Sequence, residues 1–141
     1  MTFRDIKLKE NQEYFVHYDK VWETIIQYNW SHCIEDFVKG AQIDTLICIL
    51  NLYEEYMNLR PAVMEQDFYE GKLTIDAFRI GKLASYDSST IKKHIKKIQE
   101  LEILTIKLPL SEYYQGYYDI YLNPSYILTA EPKGLILNTK N

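Results

Sequence analysis

The sequence is poor in the residues that hold small secreted or metal-dependent domains together. Its 141 residues include two cysteines, four prolines and five glycines, and 47% of them are apolar. A domain of this length can bury roughly two-thirds of the surface that its unfolded chain exposes, so it requires neither disulfides nor a structural metal. We therefore expect a single domain in which Cys33 and Cys48 are free thiols.

The sequence also lacks the segments that direct a chain into or across a membrane. It contains no run of about 18 apolar residues, and no basic segment followed by an apolar one stands near its start. These absences predict a cytoplasmic protein without membrane contact.

Patterns typical of metal or nucleotide chemistry are missing as well. His17, His32 and His94 lie far apart, and no pair of cysteines or histidines has the spacing of a zinc site. Gly71-Lys72 and Gly81-Lys82 lack the leading glycine and the trailing serine or threonine of a phosphate-binding loop. We expect neither a metal nor a cofactor.

One neighbouring pair, His32 and Cys33, has to be weighed as a catalytic base and nucleophile. Adjacent residues on a helix point about 100° apart, so Cys33 is better interpreted as a residue of the apolar core. A strand-nicking enzyme would also need a histidine cluster beside its tyrosine, and the sequence offers none. We therefore expect no catalytic residues and no enzyme activity.

Charge is the first positive signal, because its two signs are separated along the chain. Residues 10–70 hold twelve acidic against three basic side chains, a balance of −9, whereas residues 71–107 hold eight basic against four acidic ones, a balance of +4. Four of the basic residues form a group that we call the lysine stripe: Lys92, Lys93, Lys96 and Lys97. On a helix they make two adjacent i,i+4 rows, which is either a solvated face or the binding surface for an anionic partner. The acidic region is likewise either solvated or a site for a basic protein partner.

The first half of the chain is predicted to be largely helical. Residues 13–18 have the aromatic and β-branched character of a short strand, and residues 63–68 can hold another. Between them, apolar residues recur at spacings of three and four in three stretches. These predicted helices are Val21–Asn29, Ser31–Lys39 with Gly40 as its terminator, and Ile43–Leu59.

The second half contains two helices joined by a short turn and followed by a hairpin. Thr74 or Asp76 can cap a helix that continues to Leu83, and Asp87 can cap a second helix that continues to Leu101. The apolar residues of the second helix lie on one face, which directs the lysine stripe outward. Strands are predicted at 103–108 and 117–122. The whole pattern predicts a mainly α fold with a small antiparallel sheet, that is, an α+β protein.

The run Ile80–Leu104, IGKLASYDSSTIKKHIKKIQELEIL, resembles the winged-helix-turn-helix pattern of many bacterial, phage and plasmid DNA-binding proteins. A small residue, Gly81, stands inside the first helix, and a capped turn precedes Ser89-Thr90-Ile91. Proteins of this kind usually place glycine in the turn and at the exit from the recognition helix, where this chain has Ser85 and Glu102.

The resemblance divides the chain into three parts within one domain. A winged-helix core covers residues 40–123, an N-terminal strand and helical extension covers 1–39, and a tail covers 124–141. The wider frame is similar to plasmid and phage replication initiators and related regulators of mobile elements. In those proteins a strand rich in phenylalanine and tyrosine comes first, here residues 13–18, and a tyrosine-rich strand ending in Asn-Pro closes the wing, here residues 117–124.

The resemblance implies binding to double-stranded DNA, with the second helix in the major groove and the hairpin on the neighbouring backbone. It places three groups of residues on DNA. These are Ser88, Ser89, Lys92 and Lys93 at base edges or phosphates, Lys96 and Lys97 at phosphates, and Tyr113, Tyr114 and Gln115 at the tip of the wing. Neutralising four to six phosphates would give log K a slope of about −4 to −5 against log salt. The two tyrosines can instead pack on the sheet or on a dimer partner.

Two hypotheses of function follow from the sequence. The first is a non-enzymatic winged-helix protein that binds double-stranded DNA in replication, transfer or transcription, with a homodimer as a plausible form because such proteins often bind two half-sites. The second is a winged-helix scaffold that contacts only proteins, through the acidic N-terminal region or the tyrosine-rich hairpin.

Overall fold

In the computed structural model, which describes residues 13–58, 68–69, 71–109 and 116–130, helices are the main element and two small antiparallel sheets accompany them. The helices are α1 (Tyr18–Ser31), α2 (Gly40–Asn58), α3 (Ala77–Ala84) and α4 (Ser88–Ile98). The strands are β1 (Glu13–Val16), β2 (Phe68–Tyr69), β3 (Lys72–Asp76), β4 (Leu104–Lys107), β5 (Tyr117–Leu122) and β6 (Ile127–Ala130). Single 3-10 turns occur at Ile34–Asp36, Gln99–Leu101 and Pro124–Tyr126. The predicted α+β class is confirmed.

The larger sheet has the strand order β2-β3-β5-β4, so that β5 lies between β3 and β4. All neighbours in this sheet are antiparallel. Ile120, at the middle of β5, pairs with Leu73 on one side and with Ile106 on the other, and it is fully buried. The hairpin that follows α4 is therefore tied by β3 to the chain segment that precedes α3.

The smaller sheet joins the two ends of the described chain, since β1 pairs with β6 in the register Val16↔Ile127. At the other edge of β1, side chains of α2 form hydrogen bonds with the backbone groups of the strand. The Asn58 amide accepts a hydrogen bond from the Tyr14 N–H and donates one to the Tyr14 carbonyl, both at 2.8 Å, and Glu54 accepts from the Val16 N–H at 2.7 Å. Because these backbone groups are bonded, the two-stranded sheet is anchored on α2.

Helix α2 links the helical part of the fold to the smaller sheet, since it packs against α3, α4 and β1. Its apolar residues recur at spacings of three and four, so they lie on one side of the helix and are buried together. The fully buried members are Leu46, Ile49, Leu50, Tyr53 and Met57. The Tyr53 hydroxyl donates a hydrogen bond to the Gly71 carbonyl, which fixes the start of β3 against this core.

Several boundaries differ from those predicted, and the N-terminal half holds most of the differences. The helix predicted within Ser31–Lys39 is wrong, because only the single turn Ile34–Asp36 forms there. Gly40 begins α2 instead of ending the preceding segment. Cys33 is exposed rather than part of the core, because a segment this short has no buried face.

Strand β3 was not predicted at all, and its position explains why. The segment Lys72–Asp76 is buried at its three central residues, so it shows no alternation of apolar and polar residues. Its last residue, Asp76, also caps α3 by accepting a hydrogen bond from the Arg79 N–H at 2.8 Å. A helix-capping signal therefore masked the strand. The predicted strand at 63–68 lies outside the described residues except for Phe68, which begins β2.

The turn between α3 and α4 was predicted correctly. Helix α3 ends at Ala84, and Ser85 follows in the left-handed conformation with φ of 66°. Asp87 then caps α4 by accepting from the Thr90 N–H at 2.8 Å. Glu102, beyond α4, has φ of 59°. Among the described residues, Ser85 and Glu102 are the non-glycine residues with positive φ, and they are the two positions at which the sequence departs from the glycines of the winged-helix pattern that it resembles.

Gly81 permits the close packing of this turn on α3. The Gly81 carbonyl accepts hydrogen bonds from the N–H groups of Ser85 and Tyr86, the latter at 3.0 Å. A β-carbon at position 81 would come closer than 3.0 Å to the Tyr86 carbonyl oxygen, a backbone atom that cannot move without displacing the turn. Ile91 of α4 also lies within ordinary contact distance of that position.

We expect Gly81→Ala to lower the free energy of unfolding by about 1–3 kcal/mol, because the added methyl group has no space. Urea unfolding followed by circular dichroism measures the change. Gly40→Ala is the matched control, since a β-carbon there meets nothing within 4 Å and should be neutral or stabilising. Equal stability of the two variants would show that the close approach at Gly81 is wrong.

We expect Ser85→Gly to raise the free energy of unfolding by about 0.5–1 kcal/mol, because glycine adopts positive φ without the steric cost that serine bears. Thermal and urea unfolding measure the gain. Ser88→Gly is the comparison, because Ser88 is right-handed and helical, and glycine there should reduce stability. A loss of stability in Ser85→Gly would contradict the left-handed turn.

Candidate nucleic-acid interface

Helix α4 has one buried and one charged face. Four residues at helical spacing are buried on its inner side: Ile91, His94, Ile95 and Ile98. They pack in the core shared with α2 and α3. Lys92, Lys93 and Lys96 lie on the opposite side and are all exposed. The inward anchoring of α4 and the outward direction of these three lysines agree with the sequence-based prediction.

The fourth member of the lysine stripe, Lys97, is drawn towards α1. Its ammonium group donates a hydrogen bond to the Tyr28 hydroxyl at 3.1 Å and lies 3.6 Å from a carboxylate oxygen of Glu100. The hydrogen bond to Tyr28 is the main reason why the pKa of Lys97 is raised. The Tyr28 hydroxyl in turn donates to Glu100 at 2.6 Å, which lowers the pKa of that carboxyl. Lys97 is thus the least available of the four for phosphate.

The N-terminal end of α4 is already occupied by its own cap. The Asp87 carboxylate accepts from the Thr90 N–H at 2.8 Å and from the Ser89 hydroxyl at 2.9 Å. These bonds, the one from Thr90 first, lower the pKa of Asp87. Because the carboxylate is charged, it offsets the attraction of the helix N-terminus for an anion. Phosphate binding by the first N–H groups of α4 is therefore disfavoured.

The two serines at this end differ in what they can contribute. Ser89 is exposed, and since its hydroxyl hydrogen is donated to Asp87, its oxygen remains to accept a hydrogen bond, for example from an amino group on a base edge. Ser88 is half-buried at the first position of α4. The structure therefore brings both serines next to Lys92 and Lys93 along one helix.

Two cations that were not predicted lie on elements near α4, whereas the third predicted contact group is not described by the structure. Tyr113, Tyr114 and Gln115 lie outside the described residues. Lys82, in the last turn of α3, and Lys107, at the end of β4, are exposed, with their ammonium groups 5.2 Å from the Phe78 ring and 5.7 Å from the Tyr121 ring. Sequence reasoning missed these two lysines because an isolated cation on a short element makes no pattern.

A buried polar contact connects α4 to α2. His94 is 7% exposed, and its Nδ1 atom lies 2.7 Å from the Thr45 hydroxyl, which is fully buried. The ring meets that of Tyr86 edge-on, with 5.1 Å between centroids, and the Tyr86 hydroxyl donates to Asp44 at 3.1 Å. Burial lowers the pKa of His94, opposed in part by the Asp44 charge. His94 is thus a residue of the core that orients α4.

Other chemistry was sought over the described part of the chain. No group of three or more histidine, cysteine, aspartate or glutamate side chains there is arranged to hold a metal ion. The two sequence neighbours His32 and Cys33 are exposed, and the His32 ring stacks on Tyr28 with centroids 3.8 Å apart. Burial raises the pKa of the Cys48 thiol, which makes it a weaker nucleophile. No described helix has both the length and the apolar character needed to cross a bilayer.

Comparisons with known proteins add no relative: no protein-family description matches the chain, and neither the curated proteins nor the solved structures contain a significant match.

We expect acid to destabilise the fold through His94. The pKa of His94 in the folded protein lies below its ordinary value of about 6.5. The stability that neutral His94 provides is therefore complete above about pH 6.5 and is lost as the pH falls through the lower pKa of the folded state. Urea unfolding from pH 7.5 to pH 4.5 measures the slope. His94→Gln should flatten it, whereas His32→Gln, which replaces an exposed histidine, should not. An unchanged slope in His94→Gln would contradict the assignment.

Proposed function

We propose that this chain is a non-enzymatic winged-helix protein that binds double-stranded DNA through α4. The supporting topology is the order α2, β3, α3, turn, α4, β4, β5. This order is the layout in which the second helix of a helix-turn-helix enters the major groove and a hairpin reaches the neighbouring backbone. Strand β3 adds a third strand beside that hairpin, which braces it against the helices.

The observation that carries the proposal is the exposure of Lys92, Lys93 and Lys96 on a helix whose other face is buried. Like charges at i,i+4 spacing repel one another, so this arrangement costs stability unless a partner uses it. Lysines one helical turn apart can follow the phosphates that border a groove. With three such contacts, log K should fall with log salt at a slope of about −2.7, which is less steep than the four to six contacts expected from the sequence alone.

The resemblance of the Ile80–Leu104 pattern to regulators of mobile elements supports a role in replication, transfer or transcription for a plasmid or phage. That role remains a proposal resting on the resemblance alone. The DNA contact itself can be tested without knowing the target sequence, because phosphate contacts dominate non-specific affinity.

Fluorescence anisotropy with a short labelled duplex of random sequence, titrated at several salt concentrations, tests the proposal. We expect Lys92→Ala, Lys93→Ala and Lys96→Ala each to weaken binding several-fold at low salt and to reduce the steepness of the salt dependence by about 0.9. Lys97→Ala should have a smaller effect, because Tyr28 and Glu100 already engage that ammonium group.

Lys39→Ala is the matched control, since Lys39 is an exposed lysine immediately before α2, outside the lysine stripe. It removes the same charge and should leave the affinity nearly unchanged. If the wild-type protein binds no duplex at low salt, or if Lys39→Ala weakens binding as much as Lys93→Ala, the proposal is wrong. The first result would favour a scaffold that contacts only proteins.

A further inference from the structure

Helix α1 carries a row of exposed apolar side chains that nothing in the described structure covers. Trp22, Ile26 and Trp30 are 43%, 65% and 90% exposed, and they lie four residues apart, so they follow one side of the helix. We call them the α1 stripe. A neighbouring side of α1, with Val21 and Ile25, is buried against the core. An exposed apolar row of this kind marks an interaction surface.

We propose that the α1 stripe is a dimer interface in which α1 of a second copy packs antiparallel on the first. The stripe is symmetric about Ile26, with a tryptophan one turn before it and another one turn after it. In an antiparallel pair, Ile26 therefore meets Ile26 of the other copy, and each Trp22 meets a Trp30. This inference goes beyond DNA binding and does not rest on it.

In a dimer with two-fold symmetry the same surface of both copies meets, so that surface must be complementary to itself. The α1 stripe meets this condition in one orientation only. In the antiparallel register Asp19 lies beyond the end of the other α1, which stops at Ser31. Asp19 is seven residues before Ile26 and so points in nearly the same direction, which means that in a parallel pair Asp19 would meet Asp19 of the other copy and repel it. Charge therefore selects the antiparallel arrangement.

The groove beside Trp22 can accommodate Trp30 of the other copy. It is open, holds about 550 Å³, and is bordered by α1, α2 and α3. Its lining is largely apolar and includes Trp22, Ile43, Ile47, Leu52 and Leu83. Trp30 is almost wholly exposed within one copy, so this placement would remove its large apolar surface from water.

The apolar area at stake suits a weak, reversible dimer. Aromatic side chains bury about 150–250 Å² each, so the exposed fractions of the α1 stripe amount to roughly 400 Å² per copy and about 800 Å² per pair. The polar residues that flank the stripe add to this, which brings the interface near the ~1,000 Å² of a weak specific complex. We therefore expect a weak dimer that dissociates on dilution.

Sedimentation velocity over a concentration series, with tryptophan emission recorded on the same samples, tests the interface. Trp22 and Trp30 are the only two tryptophans in the sequence, so emission should shift to shorter wavelength as the dimer forms. Added salt should strengthen the dimer, because it screens the acidic halves from each other. It should weaken DNA binding, so the two proposals can fail separately.

Ile26→Glu and Trp30→Asp should each give a monomer with unchanged helical circular dichroism, because both side chains are exposed in the single copy. Leu108→Glu is the matched control, since Leu108 is 73% exposed, follows β4 and is not part of the α1 stripe, so its replacement should leave the dimer intact. With Cys33→Ser and Cys48→Ala as background, a short bis-maleimide should cross-link Ile26→Cys efficiently and Trp22→Cys poorly.

Three results would overturn the inference. One is a protein that remains monomeric at millimolar concentration in high salt. Another is short-wavelength tryptophan emission that does not change with concentration, which would mean that the stripe is covered within one chain. The third is a dimer that survives both Ile26→Glu and Trp30→Asp.

Discussion

The Tyr86 carbonyl oxygen lies so close to the α-carbon of Gly81 that no side chain fits between them. This contact sets the separation of α3 from the turn, and through Ile91 it sets how deeply the first turn of α4 is seated. The rest of α4 follows from that position, since the helix is rigid over its 11 residues. Moving the turn away from α3 would rotate the exposed face of α4 relative to the sheet. The direction of the α4 charges therefore depends on the absence of a side chain at Gly81.

The inner face of α4 shows how a helix with so many charges is held in place. Three isoleucines supply apolar contact, but apolar contact alone is not directional. The hydrogen bond between His94 and Thr45 is directional, and an unpaired polar atom at either position would be costly because both are buried. This bond favours one rotation of α4 about its own axis. The same rotation leaves Lys93 and Lys96 in solvent.

Local signals in the sequence identified the part of the fold that local chemistry determines. The Asp87 cap, the turn at Ser85 and the strand Tyr117–Leu122 all follow from residue types that lie within a few positions of each other. The pairing of β3 with β5 joins segments more than 40 residues apart, and the contact of Lys97 with Tyr28 spans 69 residues. The pairing of β6 with β1 is equally long-range, with Val16 opposite Ile127. None of these contacts leaves a local pattern, which is why β3 and β6 were not predicted and why four free lysines were expected where three are exposed.

The separation of charge within the chain limits what one copy can do on DNA. The acidic region of α1 and α2 would repel a duplex, so the exposed side of α4 is the favoured direction of approach. The same acidic residues give the chain a net charge of −4, which lowers its overall attraction for DNA. If α4 binds DNA as proposed, three phosphate contacts would release few counterions and a single α4 would bind weakly. Two copies joined through the proposed α1 interface would double the number of such contacts, because the α1 stripe and the lysines lie on different helices. Binding of the second α4 would then be intramolecular, and the gain in affinity would require no additional positive charge on either copy.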